Sequence, residues 1–266
     1  MKLKNVLISY ARVINKEQKS ALSFVEKILK KHKINYDIVV REKLKRSYFR
    51  NKDLILAVGG DGTFLMTSHF IFDGTPLLGL NSDPSCREGF FMVTTKKDFD
   101  RKLKKVLKGN YKVKKLHRLE AFLGSRKISE LALNEFYVAS AKAYHTARYY
   151  FTIKGKRERQ KSSGVLVSTA AGSYAWIKSA GGKTLPLYSD KLEYLIREPY
   201  CGRTAAKCSL VKGVLNKKKR VGIEFEIGEG VIIADSTGRE HKFNAKQKVV
   251  IKVSNKPLNI ITFDKK

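Results

Sequence analysis

The chain has 266 residues, 42% of them hydrophobic and 30% charged, with 55 Lys and Arg against 24 Asp and Glu for a formal charge of +31. This size exceeds one compact domain and can bury a substantial apolar core, so two packed domains are expected, and the composition excludes a disordered or fibrous chain. The longest apolar runs, Leu54 to Val58 and Leu77 to Leu80, are strand-sized against the roughly 20 residues of a membrane helix, so no membrane span is expected.

Met1 to Tyr10 lacks the long apolar region and cleavage site of a signal peptide and reads as a first strand. Cys86, Cys201 and Cys208, an odd count with no Cys-x-x-Cys pair, suit a reducing cytoplasm better than a disulfide framework, and no structural zinc is expected. The charge favours polyanionic partners but does not choose among nucleotides, polyphosphate and nucleic acid. Its basic residues are spread through Arg41 to Lys52, Lys112 to Arg118, Lys154 to Lys161 and Asn216 to Arg220 without one dominant block, as on a lysine-rich solvated surface. Such enrichment also accompanies growth at high temperature.

In chain order, Asn5 to Tyr10 is a strand, Lys16 to His32 a helix with Leu22, Val25, Ile28 and Leu29 at helical spacing, and Tyr36 to Val40 a second strand. A short basic helix around Glu42 to Arg50 leads to strand Asp53 to Val58, helix Thr63 to Phe72, strand Pro76 to Leu80 and amphipathic helix Lys97 to Leu107. Repeated βα units predict a mostly parallel sheet with ligands beyond the carboxyl ends of its strands. Strand signals then take over. Tyr111 to Leu123 and Lys127 to Ala139 flank a Gly124-Ser125 hairpin turn, followed by Ala147 to Ile153, Gly164 to Thr169, Val221 to Ile227, Val231 to Ala234, Lys248 to Val253 and Leu258 to Phe263. The expected fold is an α/β domain over 1–109 and a β-rich, sandwich-like domain over 110–266, with the last strand packing back on the first domain.

Gly59-Gly60-Asp61-Gly62-Thr63 lies between an apolar strand and a helix. Glycines let backbone N–H groups approach a phosphate, and a helix N-terminus adds partial positive charge. A carboxylate there repels phosphate unless it meets a metal ion or a hydroxyl, which points to phosphoryl transfer with Asp61 accepting the acceptor's proton. A tight turn capped by Asp61 is the plain structural alternative. Ser162 to Ser173, running on to Gly182, reads as a strand ending in small and hydroxyl residues that open a helix. Gly182-Lys183-Thr184 is not a P-loop, because Ile177 stands where the earlier glycine is required. Asp235 reads as a strand-terminal turn aspartate. His117 and His145 read as surface groups rather than metal ligands, and Arg148 as a strand arginine that is either solvated or able to reach a phosphate.

Gly59 to Thr63 resembles the signature shared by NAD kinases, diacylglycerol and sphingosine kinases and phosphofructokinases. The lipid kinases carry an Asn-Glu pair soon after the Thr; here it comes far downstream, as Asn134-Glu135, the NAD kinase arrangement. With the block Ser162 to Gly182 and with Asp235, four blocks over 54–91, 131–139, 161–182 and 231–261 follow the order of the NAD kinase family. The resemblance implies a kinase that phosphorylates the adenosine ribose 2′-hydroxyl of NAD or NADH, from ATP or polyphosphate with Mg²⁺, and Asp61 as general base. Gly60, Gly62 and Thr63 would handle phosphates, Asn134 and Glu135 the adenosine portion, and Asp235 a ribose. Thr169, Ala175 and Ser179 would line the nucleotide site, and Leu65 and Phe90 would pack near adenine. It further implies a β-sandwich second domain, a site in the inter-domain cleft completed by a neighbouring subunit, and a homo-oligomer (dimer or tetramer), while the cysteine usage points to a cytoplasmic enzyme. No metal ligands can be named, and no membrane or specific nucleic-acid partner is expected.

The chain departs from the common bacterial pattern at Ser163, Ala170, Ala171 and Trp176. Its Asn81-Ser82-Asp83-Pro84 and Arg197-Glu198-Pro199 are similar to the branch of plant NADH kinases and mitochondrial animal enzymes. The alternatives are a lipid kinase of the diacylglycerol kinase type, from the shared glycine loop, and a non-catalytic nucleic-acid binder, from charge alone.

Overall fold

The computed structural model describes residues 3–202, 208–237 and 239–263. They form two compact units: the first takes the chain to Lys115 and resumes at Leu258, and the second is Leu116–Pro257.

The first unit opens with β1 (Asn5–Tyr10), α1 (Lys16–Lys31) and β2 (Asn35–Val40). Helix α1 starts where the Asn15 side chain accepts the Gln18 N–H at 2.9 Å, and its last turn carries Lys30 and Lys31, opposite in sign to the helix dipole there. Its Ala21, Val25, Ile28 and Leu29 stripe is buried. The basic segment after β2 is not a helix as expected but two 3₁₀ turns, Arg41–Lys43 and Arg46–Phe49, with extended residues at Leu44 and Lys45. Then come β3 (Leu54–Gly59), α2 (Asp61–Ser68), β4 (Leu77–Asn81), β5 (Thr94–Thr95), α3 (Phe99–Leu107) and β6 (Lys112–Leu116). Helix α2 begins two residues earlier than the apolar pattern suggests, because Thr63 and Phe64 both donate to the Gly60 carbonyl (2.9 and 3.2 Å).

The second unit holds β7 (Leu119–Leu123), β8 (Arg126–Lys127), β9 (Glu135–Ser140), β10 (Ala147–Ile153), β11 (Lys156–Ser162) and β12 (Gly164–Thr169). After a 3₁₀ turn at Gly172–Tyr174 follow α4 (Trp176–Ser179), β13 (Leu192–Arg197), β14 (Lys212–Leu215), β15 (Arg220–Phe225), β16 (Glu229–Ala234), β17 (Glu240–Asn244) and β18 (Lys248–Val253). The helix expected after β12 is thus a single turn. The last strand, β19 (Leu258–Thr262), belongs to the first unit. The run read as one strand from Tyr111 to Leu123 breaks at His117-Arg118, and its halves β6 and β7 enter different sheets.

The first sheet runs β2-β1-β3-β4-β19-β6, with β5 also on β4. Its pairs β1/β2, β1/β3, β3/β4, β4/β5 and β4/β19 are parallel. Strand β3 is buried throughout, as a central strand covered on both faces must be. Two antiparallel sheets, β11-β10-β15-β18-β7-β8 and β14-β13-β12-β9-β16-β17, make the second unit. Alternate residues of both, among them Phe136, Val138, Val165, Val167, Tyr149, Phe151, Ile223, Val249 and Ile251, interlock in one apolar core, so the unit is a β-sandwich.

Two turns show local chemistry setting register. Gly124-Ser125 closes β7 on β8, and Lys154-Gly155, at φ 48° and 81°, closes β10 on β11 with the paired positive dihedrals of a type I′ hairpin. The cysteines depart from the expectation of free thiols: Cys201 and Cys208 are disulfide-bonded, their Cα atoms 5.8 Å apart, while Cys86 is free. Both flanks of that link are tied to β11. Tyr200 N–H donates to the Lys161 carbonyl at 2.8 Å, and Ser209 and Leu210 N–H donate to the Glu158 carboxylate at 3.1 Å.

A Cβ added at Gly155 would have nothing within 4 Å, so Gly155→Ala should cost only the left-handed backbone penalty of about 1–2 kcal/mol. Phe151→Ala, emptying the sandwich core, should cost about 3–5 kcal/mol. Urea unfolding midpoints separate the two.

Candidate active site

In the parallel sheet the chain runs from β1 outward to β2 and then returns to the other side of β1 as β3. This reversal leaves a crevice beyond the carboxyl ends of β1 and β3, the place where open α/β sheets bind ligands. The Gly59-Gly60-Asp61-Gly62-Thr63 loop sits there, at the end of β3 and the start of α2. A Cβ on Gly59 would lie 2.4 Å from Thr63 Oγ1, so only glycine lets the loop turn this tightly. Gly60 is the helix N-cap without a capping side chain, which leaves first-turn N–H groups and the positive end of the helix dipole for an anion.

Asp61 does not cap its own helix. Its Oδ2 accepts the Phe90 N–H at 3.0 Å and its Oδ1 the Phe91 N–H at 2.8 Å. These bonds fix the plane of the carboxylate and leave a second lone pair on each oxygen. The Phe90 ring is 45% exposed and meets Phe91 edge-on at 5.0 Å, while Phe91 stacks on Phe64. Leu65 is buried on α2. Thr63 is fully buried, and its hydroxyl accepts from Arg41 Nη1 at 3.3 Å, so it braces the loop.

Two guanidinium groups flank the loop that the sequence pattern does not single out. Arg41 Nη1 lies 3.3 Å from where a Gly62 Cβ would be, and Arg87 Nη1 3.1 Å from that of Gly60. Arg41 falls in a stretch that reads as solvated basic surface; its signal is its place as the first residue past β2, at the carboxyl edge of the sheet. Arg87 follows β4 at the same edge, held by Asn81, whose Nδ2 donates to the Arg87 carbonyl at 3.0 Å. Asp83 in this loop accepts Ser85 Oγ–H at 2.6 Å and Asn15 Nδ2–H at 2.8 Å, bonds that hold its carboxyl below the ordinary range.

In the second unit the structure brings Asn134, Glu135, Thr169 and Asp235 together. Asp235 Oδ2 accepts the Leu133 N–H at 2.8 Å, and Oδ1 accepts those of Asn134 (2.7 Å) and Glu135 (3.1 Å). Its own N–H returns to the Glu135 carbonyl at 2.9 Å, and its backbone is left-handed at φ 51°. Asp235 thus follows β16 as a strand-terminal turn residue and positions the Asn-Glu segment through its carboxylate. Thr169 works from the other side. Its Oγ1 donates to the Leu133 carbonyl at 2.6 Å and accepts the Gly172 N–H at 2.9 Å, so its buried hydroxyl braces the segment. A Cβ on Gly172 would lie 2.2 Å from the Asn134 carbonyl oxygen.

The side chains held this way are unsatisfied. Asn134 Oδ1 and Glu135 Oε2 are buried with no hydrogen-bond partner. Burial first, and the Asp235 charge second, push the Glu135 carboxyl up to about 8. Behind Asp235 lies the buried Arg118, pulled down to about 10 by burial against the opposing pull of Asp235, with Nε donating to the Lys256 carbonyl at 2.9 Å. Ala175 is half-buried and Ser179 exposed, before and at the end of the one-turn helix α4. On that helix Trp176 packs on Tyr137 at 4.9 Å under the Arg197 guanidinium (5.1 Å), and Tyr137 OH donates to the Ser163 carbonyl at 2.7 Å.

A glycine loop with one fixed carboxylate at the switch point of a parallel sheet, in a chain whose other unit is an antiparallel sandwich, defines a phosphotransferase of the Gly-Gly-Asp-Gly kinase type. The chain belongs to the NAD kinase family: residues 10–111 match the ATP-NAD kinase N-terminal domain and residues 133–263 the C-terminal domain. It is therefore an enzyme of the NAD(H) kinase kind and not a lipid kinase. It is 29% identical to an NADH kinase of Arabidopsis thaliana over 96% of this chain and 86% of that one, and 29% identical to a probable NADH kinase of rice over 84% and 74%. Its fold matches a yeast NADH kinase complexed with NADH at TM-score 0.84 and 16% identity, covering 99% of this chain and 84% of that one. It also matches an NAD kinase from Archaeoglobus fulgidus in complex with ATP, at TM-score 0.78 and 22% identity, covering 98% and 93%.

The raised Glu135 carboxyl makes stability depend on pH. The folded state holds a proton there that the unfolded chain, near its ordinary 4.5, releases. This contribution is fully present below about pH 4.5 and is lost as pH rises through about 8. Glu135→Gln should thus unfold at a higher temperature than the parent at pH 8.5, by the equivalent of a few kcal/mol, and at nearly the same temperature at pH 4.5. Differential scanning calorimetry at the two pH values checks this.

Proposed function

We propose that the chain transfers the terminal phosphoryl group of ATP, or of inorganic polyphosphate, to the adenosine ribose 2′-hydroxyl of NAD or NADH. The reading is carried by Asp61: a carboxylate oriented by the Phe90 and Phe91 N–H groups, at the N-terminus of α2 and among glycines. Asp61 takes the proton of the 2′-hydroxyl as the new P–O bond forms. The bond to the leaving phosphate breaks in the same displacement, and ADP or the shortened polyphosphate departs with its electron pair. Gly60 and Gly62 admit the phosphates to the N–H groups of the loop, and Arg41 and Arg87 add positive charge at its rim.

Asn134 and Glu135 hold the adenosine portion. Their orphaned oxygens supply what such a ligand needs, acceptors already desolvated and aimed by Asp235. Phe90 and Leu65 supply apolar surface for adenine, and Ala175 and Ser179 line the nucleotide. The reduced cofactor is included because relatives in Arabidopsis and rice are named as NADH kinases.

Among the described residues no group of three or more His, Cys, Asp and Glu side chains could cage a metal. Mg²⁺, expected from the resemblance to the family, would bind mainly through donor phosphates and water, and would neutralise donor oxygens. We assign the enzyme a homo-oligomeric state on the resemblance to its family.

Asp61→Asn keeps the size of the side chain and removes its basicity. NADP formation should fall about 10²- to 10⁴-fold in kcat, with KM for NAD changed only a few-fold. Full activity in this variant, or no NADP(H) from the parent with NAD or NADH, ATP and Mg²⁺, overturns the mechanism.

A further inference from the structure

The second unit carries a groove that the phosphoryl-transfer site does not use. It encloses about 350 Å³, within the size range of small-ligand pockets. Arg148 and Lys161 line it, and the register places them directly opposite each other on β10 and β11. Like charges facing across an antiparallel pair repel, and a nearby carboxylate would ordinarily relieve them. Among the described residues none lines this groove. The neighbouring acid is Glu226, whose backbone N–H donates to the Arg148 carbonyl, but both of its carboxylate oxygens are bonded to Arg159 Nε at 2.9 Å. The Lys161 ammonium lies over a ring face, that of Tyr200 at 4.6 Å.

The walls are of two kinds. His145 stands beside the cations, and Tyr144, 80% exposed, meets it edge-on with ring centres 4.6 Å apart. Ile227, 56% exposed, adds apolar surface. We infer that this groove is a second anion site, which takes a phosphate ester bearing a flat apolar group, such as a nucleoside monophosphate. The phosphate sits between Arg148 and Lys161 and relieves their repulsion by charge-assisted bonds. The base lies against Tyr144 and Ile227, surfaces that water wets poorly.

Hydrogen–deuterium exchange tests this on the intact protein, with AMP and inorganic pyrophosphate as probes. AMP should slow exchange severalfold in peptides spanning 140–148 and 225–228, and pyrophosphate should do so more weakly. In Arg148→Glu/Lys161→Glu, and in the milder Arg148→Gln/Lys161→Gln, the apparent affinity at these peptides should fall by at least about tenfold, while any protection at 59–65 persists. Asp61→Asn should leave protection of the groove unchanged, so its failure and that of the proposed catalytic reading are told apart. No slowing at 140–148 under saturating AMP, or slowing that survives both double variants, overturns the site. Equal protection by pyrophosphate overturns the part given to Tyr144 and Ile227.

Discussion

One carboxylate accepting three consecutive backbone N–H groups holds the second unit's polar centre together. Peptide N–H groups at 133, 134 and 135 belong to a segment with little ladder of its own, and an unpaired buried N–H costs about 1–3 kcal/mol. Asp235 satisfies all three from 100 residues further along the chain. Everything nearby follows from that anchor: the closeness of Thr169 and Gly172 to the segment, the presence of a buried arginine, and the unusual protonation of Glu135. A buried arginine is costly alone and is supported here by the Asp235 charge, while the same charge, added to burial, drives the buried glutamate to its protonated form.

Asp61 follows the same logic on a smaller scale, a carboxylate locked by two backbone donors rather than by side chains. Backbone donors cannot change rotamer. A base held this way keeps its orientation whatever charge approaches it, which is the kind of preorganisation phosphoryl transfer relies on. The side chains that surround it, Arg41 and Arg87, are by contrast long and mobile types suited to following a ligand.

Much of the architecture was legible because periodicity is local. Strands Asn5–Tyr10, Ala147–Ile153, Gly164–Thr169 and Lys248–Val253 have the bounds that apolar runs and alternation predict. The segment Lys156–Ser162 was not, since it is an edge strand with five of its first six residues charged, and only Gln160 and Ser162 turn inward. The glycine loop could be placed from its neighbours in sequence. What Asp235, Thr63 and Thr169 do could not, because their partners are a distant arginine and main-chain atoms some 35 to 100 residues away. The two guanidinium groups at the loop rim were hidden for the same reason: only the sheet's strand order brings the ends of β2, β3 and β4 to one edge.

The first unit is assembled from both ends of the chain, with β19 lying between β4 and β6 in its sheet. A ribosome emits these stretches about 140 residues apart, at some 5–20 residues per second. The sandwich, being continuous, is fully translated while the parallel sheet still lacks a strand next to β4. During that interval β6 has no neighbour and the edge of β4 stays open to water. The nascent protein thus acquires its glycine loop well before the sheet that supports it, which closes only once β19 has followed the sandwich out of the ribosome.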